Sequence, residues 1–240
     1  MMKAIAAGCV GLLSLSGAYL IVLSFPDPVF PYSHGYRGFQ VSSDRPIDPR
    51  IDGVIDDAIR RLQTSELYRP GEPFRVHICN STWRLWLYSE KFSDQMGGEA
   101  DTWLTRNIYI RPADIARNRI VSPSAEEISD VAHRPLSYFI AHEATHILES
   151  RAFGRLMIVT HPKWMVEGYA DYVGKGGDFD FEANRRLWRD HSPMLDYGGS
   201  GLYRIFHLEV SQLLDRKGWT VRQMFTRNPT EASVQRQLSE

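Results

Sequence analysis

Residues 140–150 read IAHEATHILES, and the meaning of this stretch decides how the rest of the chain is organised. His142 and His146 stand four positions apart, with Glu143 directly after the first. On an α-helix that spacing puts both imidazoles on one face, one turn or roughly 6 Å apart. Two rings so placed converge on a single ion from adjacent turns. Glu143 points to a different azimuth, too far round to ligate easily, yet able to reach a water held by such an ion. The flanking residues Ile140, Ala141, Ala144, Thr145, Ile147 and Leu148 carry no charge. A helix buried beneath a metal site needs that, because an unpaired charge there is costly. Taken alone, the pattern also fits a surface helix with two solvated histidines, so a third ligand has to be found.

The stretch HPKWMVEGYADYVG, residues 161–174, offers one. Pro162 suits the start of a helix, and Glu167 then lies about one turn inside it. Asp171 is one turn further along the same face, where a carboxylate can accept the N–H of a ligating histidine and fix its tautomer. Gly168 and Ala170 are small, as expected where two helices approach closely. Trp164, Met165, Val166 and Tyr169 crowd the two acids, which argues against a solvated acidic face. A catalytic zinc ion keeps three protein ligands and one open position.

HEATH followed by WMVEGYADY resembles the gluzincin group of zinc metallopeptidases. The resemblance covers about residues 140–174 and implies a zincin-like fold. It implies that His142, His146 and Glu167 bind Zn2+, that Glu143 is the general base, and that Asp171 supports a ligand from behind. It further implies a peptide or protein substrate. The Gly-x-Met-Glu-Asn motif of the aminopeptidases is absent. MGGEA, residues 96–100, lies in a comparable place and reads either as a substrate contact through Glu99 or as a glycine-rich turn. Small members of the group carry a Tyr near the start of a later helix, which points to Tyr203 as the oxyanion-stabilising residue. His207, His191 and Tyr197 are looser alternatives, and Tyr203 as a core side chain is another.

The N-terminus is unlike the average of the chain. Residues 4–25, AIAAGCVGLLSLSGAYLIVLSF, contain no charged side chain, and Pro26 and Pro28 end the run. About 20 apolar residues span a bilayer as a helix. The expectation is a single-pass anchor with the remaining domain outside the cytoplasm, periplasmic or extracellular. The alternative is a secretory signal cleaved at Tyr19, after the small residues Ser16 and Ala18. Elsewhere the chain has ordinary globular chemistry, with 43% hydrophobic and 24% charged residues. A formal net charge of -1 gives no basic face for nucleic acid. Of the two cysteines, Cys9 lies in the apolar leader, so Cys79 has no internal disulfide partner in the folded part. Nothing in the sequence fixes the oligomeric state.

Residues 26–50 are rich in Pro, Gly, Ser and Asp and read as a linker, with the catalytic-type domain over 51–240. Ile51, Val54, Ile55, Ile59 and Leu62 have helical spacing. PFRVHICN (73–80) and NIYIRP (107–112) predict strands, the second either an edge strand suited to pairing with an extended peptide or a buried one. WRLWLYS (83–89) reads as a further strand. Ser122 or Ser124 with Pro123 suggests a helix start, and Pro135 another. Strands first and helices after predict an α+β domain.

Overall fold

The computed structural model describes residues 16–89, 96–121, 134–195 and 203–239. It is an α+β structure. A five-stranded mixed sheet is built from β1 (Tyr32–Tyr36), β2 (Phe39–Ser43), β3 (Phe74–Ile78), β4 (Gly98–Ala100) and β5 (Asn107–Ile110), in the order β1-β2-β3-β5-β4. The pairs β2·β3 and β3·β5 are parallel, whereas β1·β2 and β4·β5 are antiparallel. A short hairpin, β6 (Ala113–Asp114) and β7 (Arg119–Ile120), follows.

Helix α1 comprises residues 16–24. Then come α2 (Ile51–Leu62), α3 (Thr82–Tyr88), α4 (Leu136–Phe153), α5 (Met157–Thr160), α6 (Lys163–Lys175) and α7 (Phe181–Arg189). Last come α8 (Arg204–Ser211), continuing into a π-helical turn at Gln212–Arg216, then α9 (Val221–Arg227) and α10 (Glu231–Ser239).

Strand alternation assigns the two faces of the sheet. Val41, Val76, Ile78, Ile108 and Ile110 join α2, α4 and α6 in the main core. Cys79 and Tyr109 turn the other way and pack with Phe30, Leu85 and Tyr88. Helix α2 is amphipathic, burying Ile51, Val54, Ile55, Ala58, Ile59 and Leu62 against the sheet and α4. Helix α4 differs: every residue from Leu136 to Ser150 is buried, so it runs through the molecule as an axle with no polar face. It starts after Pro135, and α6 starts after Pro162, as the sequence predicts.

Three expectations need correction. Residues 26–50 are not a plain linker: they supply β1 and β2, joined at Tyr36↔Phe39 by a two-residue turn with positive φ at Arg37 (45°) and Gly38 (90°). That is the hairpin turn whose twist matches paired strands. WRLWLYS is helix α3, which buries Leu85 and Tyr88 at i, i+3 and leaves Trp83 and Trp86 exposed. The strand in NIYIRP is interior, paired on both sides and wholly buried, which removes its reading as an edge; among the described residues the edges of the sheet are β1 and β4, the latter within MGGEA.

The helix start at Ser122–Ser124 lies outside the described residues. No helix among the described residues is long and apolar enough to cross a membrane. Of the apolar stretch, only 16–25 is described, and there the Tyr19 hydroxyl donates to the Leu87 carbonyl at 2.9 Å.

Candidate metal centre

Helices α4 and α6 pack along each other and bring His142, His146 and Glu167 together. Glu167 Oε2 lies 3.4 Å from His142 Nε2 and 3.7 Å from His146 Nε2. The imidazole planes are nearly perpendicular (88°), with ring centroids 4.9 Å apart. Ligand atoms placed tetrahedrally at roughly 2.0–2.1 Å from an ion lie about 3.3–3.4 Å apart. The separation from His142 matches that spacing, and the one from His146 is slightly wider. All three ligating atoms fall within 4.8 Å of one another, so the group could hold one metal ion after side-chain adjustment. No fourth His, Cys, Asp or Glu joins them among the described residues.

The charges fit the same picture. Burial works against the Glu167 charge, yet the two imidazoles hold its carboxyl well below the usual range. Burial also disfavours a charged His146, but Glu149 and Glu167 outweigh it and raise that ring well above its ordinary value.

Each histidine is oriented through its other nitrogen, by different means. His146 Nδ1 donates to Glu149 Oε2 at 2.9 Å. Glu149 is fully buried, and burial pushes its carboxyl up to about 7 against the pull of His146. His142 Nδ1 lies 3.5 Å from the Tyr138 hydroxyl, which donates to Asp171 Oδ1 at 2.5 Å. The sequence suggests that Asp171 touches one of these imidazoles directly; it instead stands one residue further back, behind Tyr138. Its other oxygen accepts from His207 Nδ1 at 2.9 Å, with Lys175 Nζ at 3.2 Å and an Arg134 nitrogen 3.7 Å from Oδ1. Burial opposes the Asp171 charge, but Lys175, His207 and Arg134 hold it far below the usual carboxylate range.

Glu143 is buried beside the edge strand. A Cβ on Gly98 would come within 3.0 Å of Glu143 Cγ, so glycine is what lets β4 lie this close to α4. Glu99 alternates to the opposite face of the sheet from Gly98, away from Glu143, which removes it as a contact beside the triad.

Tyr203 precedes α8, and its ring stacks on His142 at 5.6 Å and 12°. His207 sits behind the site, bonded to Asp171 and stacked on Phe179 at 3.7 Å, and burial lowers its pKa. It is not placed as an oxyanion donor. His191 is exposed beyond α7, and Tyr197 lies outside the described residues. Gly168 serves a neighbouring contact rather than the α4 approach: a Cβ there would meet the Phe206 carbonyl oxygen of α8 at 2.6 Å.

Sequence reasoning missed Glu149 and Tyr138. Both carry a signal, one three residues after His146 and the other four before His142, on the ligand face of the helix. Comparison of the chain with protein-family models, with curated proteins and with solved structures returns no match.

Proposed function

We propose that the protein is a zinc-dependent peptidase of zincin-like architecture, anchored in a membrane, with its catalytic domain outside the cytoplasm and an endopeptidase action on polypeptide substrates. The observation that carries this reading is the set of three atoms that could ligate one ion, with Glu143 adjacent to His142 in α4 and packed against Gly98 of β4. Two imidazoles and one carboxylate suit zinc, which tolerates mixed nitrogen and oxygen ligands and, in catalytic sites, an open fourth position. When bound, the ion supplies Lewis acidity toward a carbonyl and lowers the pKa of water.

The chain's own residues do the rest. Glu143 takes a proton from the attacking water as oxygen adds to the carbonyl carbon, then hands it to the amine nitrogen as the C–N bond breaks. The Tyr203 hydroxyl, on a ring already stacked on His142, donates to the developing oxyanion. The edge strand β4, which has no second partner strand among the described residues, pairs with an extended peptide and sets its register over Glu143. Glu149 and Tyr138 hold the two imidazoles in the tautomer that leaves each Nε2 bare.

A second reading, a tethered binding protein with a purely structural ion, is opposed by the three-residue ligand set, because structural sites are usually closed by four protein ligands. Metal analysis paired with cleavage of a peptide library by the full-length protein separates them. The expectation is one zinc per chain and hydrolysis, with Glu143→Gln keeping the metal and losing turnover. Undiminished cleavage by Glu143→Gln would remove Glu143 from the mechanism.

A further inference from the structure

We propose that the face of the sheet turned away from α4 carries a binding site for a small zwitterion of the free α-amino acid type, held between Arg75 and Asp27 over His77. The site is separate from the metal centre, which lies on the other face, and it is independent of any hydrolytic activity.

Strand register builds its floor. Ser33, Ser42 and His77 pair in one row across β1, β2 and β3, and Gln40 pairs with Arg75 in the next. Their sequence neighbours Phe39, Val41, Phe74, Val76 and Ile78 enter the main core, so alternation turns the β2 and β3 members of these rows to the opposite face. Phe30, just ahead of β1, forms a wall there, with its ring 4.9 Å from that of His77. The cavity so bounded has a volume of about 430 Å³, and both Asp27 and Arg75 line it. An aromatic wall with a few convergent polar groups, at this size, is the usual make-up of a small-molecule site.

The polar groups around the cavity divide into two sets. Gln40 donates to the Ser33 hydroxyl at 2.5 Å, so these two engage each other. The rest lack partners. His77 is 2% exposed, and neither ring nitrogen is hydrogen-bonded. A buried polar ring in that condition is destabilising unless something supplies the missing bond. Burial keeps the ring neutral near pH 7, so it offers one N–H and one lone pair. Among the described residues, the side chains of Arg75 and Asp27 make no ion pair with each other or with any third group.

A cation and an anion that line one cavity without pairing are bridged by a molecule charged at both ends. Arg75 takes the carboxylate through its forked N–H groups, and His77, two residues along the same strand face, adds its own N–H. Asp27 accepts from the ammonium, and the Phe30 ring receives the apolar part of the ligand. A simple anion would use Arg75 and be repelled by Asp27, which favours the zwitterion.

The test is equilibrium dialysis of the full-length protein against an equimolar mixture of the twenty L-amino acids, with inorganic phosphate run in parallel. Arg75 and Asp27 are exposed, so Arg75→Gln and Asp27→Asn leave the fold intact. The expected result is retention of at least one amino acid, one per chain, with a Kd below about 1 mM. Its amide and its N-acetyl derivative should each bind about 10-fold more weakly or worse, as should the parent amino acid to either variant. Glu167→Ala should retain the amino acid unchanged. Retention of none of the twenty overturns the proposal, as does retention that both charge variants leave untouched. Loss in Glu167→Ala alone assigns the ligand to the metal centre and also overturns it. Phosphate or the N-acetyl derivative binding as tightly as the amino acid, with Arg75→Gln sensitive and Asp27→Asn not, makes this a plain anion site and overturns the zwitterion.

Discussion

On the α4 side of the sheet, Ile78, Ile108 and Gly98 meet the main core and Glu143. Their sequence neighbours Cys79, Tyr109 and Glu99 fall on the opposite side, where α1 and α3 lie. The first side keeps buried charge and gives it partners: Glu149 has His146, and Asp171 has Tyr138, His207 and Lys175. The second side buries His77 between Phe30 and Tyr109, at 4.9 and 5.1 Å, with neither ring nitrogen hydrogen-bonded. Asn107 stands near that ring, but its amide donates to the Tyr109 hydroxyl instead. The two faces are therefore vulnerable to opposite changes. The site face fails when the Asp171 charge is removed, and the far face fails when a charge is added at His77.

The largest effect expected is on Glu167, the one residue both imidazoles share. Glu167→Ala should leave less than one ion per ten chains after dialysis, because two histidines alone do not retain it. Metal retention in that variant would mean a third ligand lies elsewhere. Asp171→Asn comes next and should act on the fold before the metal. It removes the carboxylate that the buried Lys175 faces at 3.2 Å, and breaking such a pair typically costs about 3–5 kcal/mol. Chemical denaturation reads this directly. Weakened metal binding with unchanged stability would place Asp171 on the ligands themselves and undo the separation between ligand support and fold support.

His77 tests the other face. Burial pushes its pKa down to about 4 from the ordinary 6.5, so the folded state resists the proton that the unfolded chain accepts. The neutral ring's contribution is intact above about pH 6.5 and is lost progressively as pH falls toward 4, by up to about 3 kcal/mol. His77→Phe should flatten that limb of the stability–pH curve and leave metal content unchanged. An unchanged acid limb in this variant would show that the far face is not where acid acts.

The smallest effect is expected from Glu149→Gln. Metal affinity should fall about 10- to 100-fold, the usual consequence of losing a partner behind a ligating imidazole. Stability without metal at pH 7 should hold or rise, because burial already pushes the Glu149 carboxyl up to about 7 and its charged form is costly there. A loss of stability larger than that of Asp171→Asn would reverse the ranking of the two supports.

Much of this could be read from the chain. Pro135 and Pro162 mark the starts of α4 and α6, the helical spacing marks α2, and the histidine and glutamate spacing assembles the three potential ligands. What could not be read depends on tertiary context. In WRLWLYS, Trp83, Leu85 and Leu87 alternate as in a strand, and only the packing of Leu85 and Tyr88 against the sheet selects the helix. Strand β1 has little apolar pattern of its own, with no buried residue, and is defined by its partner β2. Edge and interior strands look alike when both are short, which is why β5 passed for the edge that β4 occupies. The helical spacing gives the correct face of α6 for Asp171 but not its distance from His142, because the space between them is filled by Tyr138 of α4.

The fully buried axle α4 has a consequence in time. Chains emerge from synthesis N-terminus first, and sheet faces left uncovered are prone to aggregate. All five strands of the sheet are complete by Ile110, when α2 is the one helix of the main core yet made to cover Val76, Ile78 and Ile108. Closure waits for Leu136–Phe153, and that closing segment is also the one carrying His142 and His146. The molecule therefore cannot set both imidazoles in place before its hydrophobic face is sealed. The group that could hold an ion is therefore assembled late in biogenesis, completed only when α6 delivers Glu167.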